Sequence, residues 1–379
     1  MVAPENEDEG IKYLYAISFV MSAISGILIP VMPVYAYRLG ATQFVLGLIG
    51  SVPAAIYALF TFMLGGLWDR LGKKVPIITF YVMYASVCLL YSFTTLPFQI
   101  VMLKTIEGLS WALFWPPVEA LIAERTAGSN KAVSNFGISW SSGAALGVFL
   151  SGFTLELNRP KDVFRLVSLS SLTLTLTSIV LIKERRVEKV EVRKRTNPTT
   201  KAKIFSEHRE AWLSVALYAF GQSVIFALFP AYAEIKSMSG LMTGLYFSTL
   251  IAGRTLAFWS FGRISIEKIS LIGAALMSVG SLPIAITTSF PILVAGSFSI
   301  GFGAGLLYSG AFQKVITAKA EIRGLYAGIF EGSIGIGNLS PVVAGALAER
   351  FLNAPYVLTS AGAACMFLLF ILIRPSKKS

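Results

Sequence analysis

Apolar stretches of about twenty residues follow one another along the whole of this chain. We count twelve of them, and each is long enough to cross the roughly 30 Å hydrocarbon core of a bilayer as a helix. A water-soluble fold could not bury so much apolar surface. The sequence therefore predicts an all-α membrane protein with twelve transmembrane helices. The predicted segments are 11–37, 43–66, 75–95, 98–122, 132–155, 163–182, 211–233, 241–262, 269–288, 291–313, 325–348 and 355–373.

The composition agrees with this class. Hydrophobic residues make up 55% of the chain and charged residues 14%, against about 25% charged residues in an ordinary soluble protein. A soluble enzyme and a disordered chain are therefore excluded. The formal charge of +12 does not indicate a nucleic-acid partner, because the bases lie in connections between apolar segments rather than on one face. The two cysteines, Cys88 and Cys365, both lie in apolar segments, so no disulfide framework is expected.

The distribution of bases predicts the orientation in the membrane, since cytoplasmic connections carry an excess of Lys and Arg. The stretch 183–210 holds ten Lys or Arg against five Asp or Glu, whereas the connections 94–97 and 287–289 hold no charge. We therefore expect a multi-pass cell-membrane protein with both termini and the 183–210 stretch in the cytoplasm. The acidic residues 1–10 are not expected to form a cleaved signal peptide.

The charged stretch also predicts the domain organisation: an N-terminal six-helix bundle at 1–182, a cytoplasmic linker at 183–210 and a C-terminal six-helix bundle at 211–379. Repeats of equal orientation are typical of secondary transporters, which alternate access to a central site. The halves match in register. Pro33, Tyr35, Gly47 and Gly65 recur 197 residues later as Pro230, Tyr232, Gly244 and Gly262, and Gly108, Leu113 and Gly152 recur 193 residues later as Gly301, Leu306 and Gly345.

Residues 65–74 read Gly-Gly-Leu-Trp-Asp-Arg-Leu-Gly-Lys-Lys between the second and third apolar segments. This resembles the loop signature of the major facilitator superfamily, in which Gly, three further residues, Asp-Arg, one residue, Gly and two bases follow one another. Together with the twelve segments and the repeat, the resemblance covers the whole chain. It implies a fold of two pseudo-symmetric six-helix bundles, and a monomer, which is the usual state in this family.

The resemblance also implies a conformational lock. In the family, the loop Asp holds the halves together on the cytoplasmic side when the transporter is open outward. Its partners are the start of segment 11, here 324–326, and an acidic residue at the inner end of segment 4, here Glu124 or, less favoured, Glu119. The alternative is that these charges only set the topology. The implied lock comprises Gly65, Asp69, Arg70, Gly72, Lys73, Lys74 and Glu124.

The lock can be tested at Asp69. We expect Asp69→Asn to abolish transport and to leave membrane insertion intact. Undiminished transport at normal expression would contradict this expectation.

Segment 4 carries two opposite charges, Lys104 and Glu107, inside an apolar run. The run Lys-Thr-Ile-Glu-Gly at 104–108 resembles a second signature of the family, Arg-x-x-Gln-Gly, with Lys for Arg and Glu for Gln. At this spacing both charges share a helix face with Trp111 and can neutralise one another. One interpretation is therefore a self-satisfied pair beside a cavity. The other is a proton or substrate-charge site, because ionisable groups inside membranes mark such sites.

Segment 5 resembles the signature of the drug/proton antiporter branch, Gly-x-x-x-Gly-Pro-x-x-Gly-Gly, at 143–152. Val148 replaces the Pro and Ser151 replaces a Gly, so the resemblance to antiporters is partial. Small residues four apart, such as Gly143 and Gly147, also let helices pack closely whatever the direction of transport.

Four polar residues of the second half are further candidates. Glu331 shares a helix face with Asn338, and it is either a coupling carboxylate or an interhelical partner of Arg254 or Arg323. Arg254 could bind an anionic group. Gln222 lies midway along segment 7 and is either interhelical glue or a cavity contact. The candidates for proton coupling or substrate charge are thus Lys104, Glu107, Arg254 and Glu331, and those for cavity lining are Trp111, Gln222 and Asn338.

These features predict a secondary active transporter of a small organic solute that couples proton flow to efflux of amphipathic compounds. The alternative is uptake of a small organic solute, an anionic one included, by symport or uniport. A membrane-embedded enzyme or a receptor is the less favoured class, because no cluster of catalytic side chains and no large soluble domain is visible. No ATP-binding loop is present, and the single histidine, His208, lies in the charged linker, so we expect neither cofactor nor metal. The expected partners are the solute, protons and membrane lipids.

Overall fold

The computed structural model of this chain describes residues 9–64, 72–126, 130–182, 204–260, 263–318 and 320–373. These residues form fourteen helices of nine residues or more. The all-α architecture predicted from the hydropathy pattern is thereby confirmed. The helices are α1 (Glu9–Arg38), α2 (Gln43–Leu64), α3 (Lys74–Tyr91), α4 (Pro97–Ala112), α5 (Trp115–Thr126), α6 (Asn130–Glu156), α7 (Pro160–Leu181), α8 (Arg209–Ile235), α9 (Gly240–Ser260), α10 (Ile266–Ile286), α11 (Phe290–Thr317), α12 (Ala320–Gly337), α13 (Ser340–Ala348) and α14 (Ala354–Ile373).

Within the described ranges, nine helices are long and apolar enough to cross a membrane. The three other predicted segments are occupied by α4 with α5, by α9, and by α12 with α13. These three segments carry the four charged candidates. Charged side chains are costly in the hydrocarbon core, and they are tolerated where they pair or meet water. The predicted functional charges therefore all lie in segments other than the nine candidate spans.

Two of the predicted segments are broken, which differs from the continuous helices expected at 98–122 and 325–348. The first ends at Ala112 and resumes at Trp115, directly before Pro116 and Pro117. The second ends at Gly337 and resumes at Ser340, directly before Pro341. Proline lacks a backbone N–H and is best accommodated in the first turn of a helix. A new helix therefore begins at each proline.

The chain divides into two compact units. The first comprises Met1–Gly40 and Val52–Glu191, and the second comprises Ala41–Ser51 and Val192–Ser379. The first turns of α2 therefore pack with the second unit, since Ser51 Oγ accepts a hydrogen bond from Val342 N at 3.0 Å. The predicted bundles at 1–182 and 211–379 stay a prediction, and most of the predicted linker lies outside the described residues.

In the first unit, α1 packs along α6, and α3 packs on α4 and α7. The α1–α6 contact depends on glycines of the segment that resembles the antiporter signature. A Cβ added to Gly143 would lie 2.2 Å from the Phe19 carbonyl oxygen, and one added to Gly147 would lie 2.1 Å from that of Ala23. The structure therefore gives these small residues a packing function.

The second unit repeats this arrangement with its own helices, as α8 packs on α12, and α10 packs on α11 and α14. Two tyrosines matched by the sequence repeat make equivalent contacts. Tyr35 donates a hydrogen bond to the Thr94 carbonyl oxygen at 2.7 Å, and Tyr232 donates one to that of Ile284 at 2.9 Å. The Tyr35 ring meets the Phe164 ring edge-on, with centroids 5.2 Å apart. In the same way, the Tyr232 ring meets the Tyr356 ring of α14, with centroids 4.9 Å apart.

Two matched glycines also occupy equivalent places. A Cβ on Gly108 would lie 2.4 Å from the Pro53 carbonyl oxygen, and a Cβ on Gly301 would lie 1.8 Å from that of Leu250. Pro53 and Leu250 are themselves 197 residues apart, which is the offset of the repeat. Each unit therefore contains the same close helix crossing, made possible by the same absent side chain.

Candidate functional site

The first unit contains a buried ion pair within α4. Lys104 Nζ lies 2.8 Å from Glu107 Oε2 and 2.9 Å from Oε1, and the Glu107 residue is 7% exposed. The two side chains are one helical turn apart, which allows the contact that the sequence predicted. The pair lies on a helix that is not among the nine candidate membrane spans.

Two further donors complete the surroundings of the Glu107 carboxylate. The Tyr91 hydroxyl, at the end of α3, donates to Oε2 at 2.6 Å, and Trp111 Nε1 points at Oε1 from 3.4 Å. The predicted face of Lys104, Glu107 and Trp111 is therefore present. Hydrogen bonds to a charged group are stronger than those between neutral groups. This arrangement fixes the carboxylate in place.

Aromatic rings surround the pair on the side of the α4–α5 break. The Trp111 ring is stacked on Trp115, with centroids 5.9 Å apart and planes within 9°. Trp115 in turn meets Trp140 of α6 edge-on at 6.3 Å. All three tryptophans are half-buried. They present flat apolar surfaces beside a charged group, as an amphipathic ligand would require.

The second unit contains a different polar cluster, between α8 and α9. Arg254 Nη1 donates to Gln222 Oε1 at 3.1 Å, and both residues are buried. Arg254 also lies close to the Tyr218 hydroxyl. Within the described part of the chain, the buried Gln222 Nε2 has no hydrogen-bond partner. This amide nitrogen is an available donor for a ligand acceptor.

Glu331 lies on α12 in the same unit, and its side chain is exposed. Its carboxylate is close enough to Tyr218 to interact electrostatically. Asn338, predicted to continue the Glu331 face, lies in the break between α12 and α13 and is half-buried. The two residues therefore belong to a broken segment rather than to one continuous helix.

The predicted lock falls partly outside the described residues, which exclude Gly65, Asp69 and Arg70 and the side chain of Glu124. Glu124 belongs to α5, and the alternative partner Glu119 is exposed. Gly72 has a φ of +81°, a backbone conformation that favours glycine. Lys73 precedes α3, and Lys74 Nζ donates to the Ile179 carbonyl oxygen at 2.5 Å near the end of α7. A base at this position stabilises the negative end of the helix dipole.

Sequence reasoning missed two members of these clusters. Tyr91 lies 16 residues before Glu107 on another helix, and Tyr218 joins Arg254 across an equally non-local contact. A polar aromatic residue near the end of an apolar segment is common at membrane interfaces, so neither residue carried a distinctive signal. Among the residues described, no three His, Cys, Asp or Glu side chains converge as a metal site would require.

The family whose sequence profile this chain matches makes it a multi-pass membrane transporter of a small-molecule substrate rather than an enzyme. The sequence profile of the Major Facilitator Superfamily matches residues 14–320. The chain belongs to this superfamily and is a secondary transporter, which confirms the family and fold predicted from the loop signature.

Relatives lie in the same superfamily. The Quinolone resistance protein NorA of Staphylococcus aureus (strain MRSA252) is 24% identical over 362 residues, with 90% of each chain covered. An uncharacterised MFS-type transporter of Methanocaldococcus jannaschii is 23% identical over 344 residues, covering 84% of this chain and 88% of the relative.

Solved structures share the fold at low identity. The nucleoside transporter NupG superposes with a TM-score of 0.77 at 13% identity, covering 96% of this chain and 99% of NupG. A POT family transporter in complex with 5-aminolevulinic acid has a TM-score of 0.76 at 11% identity, covering 98% of this chain and 97% of that one.

Proposed function

We propose that this transporter exports amphipathic organic compounds in exchange for protons, and that Glu331 carries the coupling proton. The observation that carries this proposal is the exposed carboxylate of Glu331 on α12. Facing lipid, a carboxylate at mid-span is unfavourable by roughly 3 kcal/mol, so such groups face water-filled cavities and serve in proton relays. Glu331 forms no ion pair among the described residues, so its exposed carboxylate can exchange a proton without first breaking one.

Glu107 is the weaker candidate for coupling. Its carboxylate already accepts from Lys104 and Tyr91 at 2.9 Å or less. Protonation would require the loss of a buried ion pair, which is strongly unfavourable. We therefore assign Lys104 and Glu107 to the structure of the first unit, with Trp111 as a contact for the substrate.

The choice of substrate class rests on two supports. The half-buried tryptophans of the first unit offer flat apolar surface for an amphipathic compound. The relative NorA is named for quinolone resistance, and quinolones are planar and amphipathic. Efflux of planar amphipathic compounds agrees with the tryptophan surface and with the name of this relative.

The proposal extends to the setting of the protein. It places the protein in the cell membrane with both termini in the cytoplasm, which the distribution of bases in the sequence supports. The monomeric state is the usual one in the family. Asp69 and the neighbouring bases would lock the cytoplasmic side, which the Asp69→Asn variant tests. Arg254 would contribute charge near the Gln222 contact.

The experiment uses purified protein in liposomes that contain a pH-sensitive dye, with a quinolone and the amphipathic cation ethidium as probes. When the lumen is acidic and either probe is added outside, protons should leave the liposomes and the probe should accumulate inside them. The Glu331→Gln variant should bind the probe and lose this pH-gradient dependence. The matched variant Glu107→Gln removes the same charge from the buried pair and should retain the pH-gradient dependence of transport.

Three results would contradict the proposal. Gradient-driven flux that persists in Glu331→Gln would exclude this carboxylate from coupling. Flux lost only in Glu107→Gln, in protein that remains folded and still binds the probe, would assign coupling to Glu107 instead of Glu331. Movement of solute in the same direction as protons would show symport, which is the uptake alternative.

A further inference from the structure

A cleft of about 460 Å³ opens at one end of the first unit. Its lining includes four basic residues, Arg38, Arg159, Lys161 and Arg165, and one acidic residue, Asp162. Asp162 is already paired, since its Oδ1 lies 3.1 Å from Arg165 Nη1. The lining therefore has a marked excess of positive charge, which attracts anions.

Local contacts shape this cleft. Arg38, the last residue of α1, donates from Nη1 to Asn158 Oδ1 in the turn between α6 and α7. Asn158 has a φ of +53°, a left-handed conformation that asparagine tolerates better than most residues. The turn brings Arg159 and Lys161, both exposed, to the first turn of α7. The cleft is thus a product of the fold and not a chance grouping of long side chains.

The cleft lies at the depth of lipid headgroups. Two of its residues, Arg38 and Pro160, are the last and first residues of the candidate membrane spans formed by α1 and α7. A third, Tyr35, bonds to Thr94 just beyond the end of α3. The cleft therefore lies at the end of the unit opposite Lys74, where α3 begins. Bases concentrate on the cytoplasmic side of a membrane, so a basic cluster at this end is not explained by topology.

Exposed apolar side chains lead away from the cleft along α7. Leu169, Leu172 and Leu176 follow Arg165 at intervals of four, three and four residues, which places all four on one helix face. Leu169 is 62% exposed and Leu176 is 67% exposed. A basic end continued by an apolar face matches a molecule with an anionic head and a hydrocarbon tail.

We propose that this cleft binds the phosphate headgroup of an anionic phospholipid, with the acyl chains along the exposed face of α7. A guanidinium group binds phosphate oxygens in pairs of parallel hydrogen bonds, whereas a lysine ammonium binds them as a point charge. Arg159 and Lys161 are both exposed for these contacts. The apolar face favours a lipid over free phosphate. The site is independent of the coupling carboxylate, so it stands or falls separately from the proposed transport function.

The test measures the thermal stability of the purified protein in a neutral detergent while phosphatidylglycerol is added. The melting temperature should rise with phosphatidylglycerol and not with phosphatidylcholine. Each base near an anionic lipid strengthens binding roughly fivefold. The double variant Arg159→Ala with Lys161→Ala should therefore raise the phosphatidylglycerol concentration that gives half of the shift by roughly 30-fold. Charge-conserving exchange, Arg159→Lys with Lys161→Arg, should restore the shift.

The second unit supplies a matched control. Lys236 follows α8 and Arg350 follows α13, so they occupy places in the repeat that correspond to the ends of α1 and α6. The double variant Lys236→Ala with Arg350→Ala removes the same charge and should keep the phosphatidylglycerol response. Equal responses in the two double variants would overturn the proposal. A shift of equal size with inorganic phosphate would show that the cleft binds a free anion, and would overturn the proposal that it binds a lipid.

Discussion

At the scale of single residues, two glutamates of similar sequence context have opposite surroundings. Glu107 is buried among three donors, whereas Glu331 is exposed. A carboxylate that is fully hydrogen-bonded contributes to the rigidity of its unit. A carboxylate that meets water can change its protonation state with each cycle. The sequence alone offered the same choice of roles for both.

The structural role of the buried pair predicts a thermodynamic coupling. Lys104→Met and Glu107→Gln should each lower the free energy of unfolding by about 3 kcal/mol, because each leaves a buried partner uncompensated. The double variant should lose at least about 1 kcal/mol less than the sum of the two. Reversible unfolding in mixed micelles, followed by tryptophan fluorescence, would measure all three values. Strictly additive losses would show that the pair is not coupled.

At the scale of helices, close crossings depend on particular glycines. The Cβ of an alanine at Gly301 would come 1.8 Å from a carbonyl oxygen, and at Gly108 2.4 Å, in both cases against backbone that cannot move aside as a side chain can. Overpacking of this kind lowers stability by about 1–3 kcal/mol or more. We therefore expect Gly108→Ala and Gly301→Ala to reduce both the melting temperature and the yield of folded protein.

The same substitution at an open position provides the control. No atom would lie within 4 Å of a Cβ at Gly137, in the middle of α6. Since alanine is favoured over glycine in a helix by roughly 0.5–1 kcal/mol, Gly137→Ala should be neutral or stabilising. A loss of stability at Gly137 equal to that at Gly301 would show that the crossing distance does not account for the losses.

Hydropathy and local spacing predicted the helices and the shared face of Lys104, Glu107 and Trp111, because both depend on residues close in sequence. The breaks before Pro116 and Pro341 were signalled by the prolines, yet proline also occurs inside α1 and α2 without a break, so the signal was ambiguous. The contacts of Tyr91 with Glu107 and of Gln222 with Arg254 join different helices. Such contacts depend on how helices pack, which a single sequence does not encode in any local pattern.

At the scale of the whole molecule, the two units preserve equivalent contacts although few residues are shared between them. Tyr35 and Tyr232 retain both a carbonyl acceptor and an edge-on ring in their own units. Equivalent hydrogen bonds at the end of the third segment fix the first helix of each half. A repeated fold is therefore maintained by a few matched residues rather than by overall sequence similarity.

This equivalence predicts equal and independent effects of removing the two hydroxyls. Tyr35→Phe and Tyr232→Phe should each lower the free energy of unfolding by about 1 kcal/mol, because each leaves a carbonyl without its donor. Since the two hydroxyls bond to acceptors in different units, the double variant should show the sum within about 0.5 kcal/mol. Tyr37→Phe, at a half-buried position on α1, is the control for loss of a hydroxyl. Unfolding of the four variants under one set of conditions checks this, and a double variant well outside the sum would show that the tyrosines act on a shared structure.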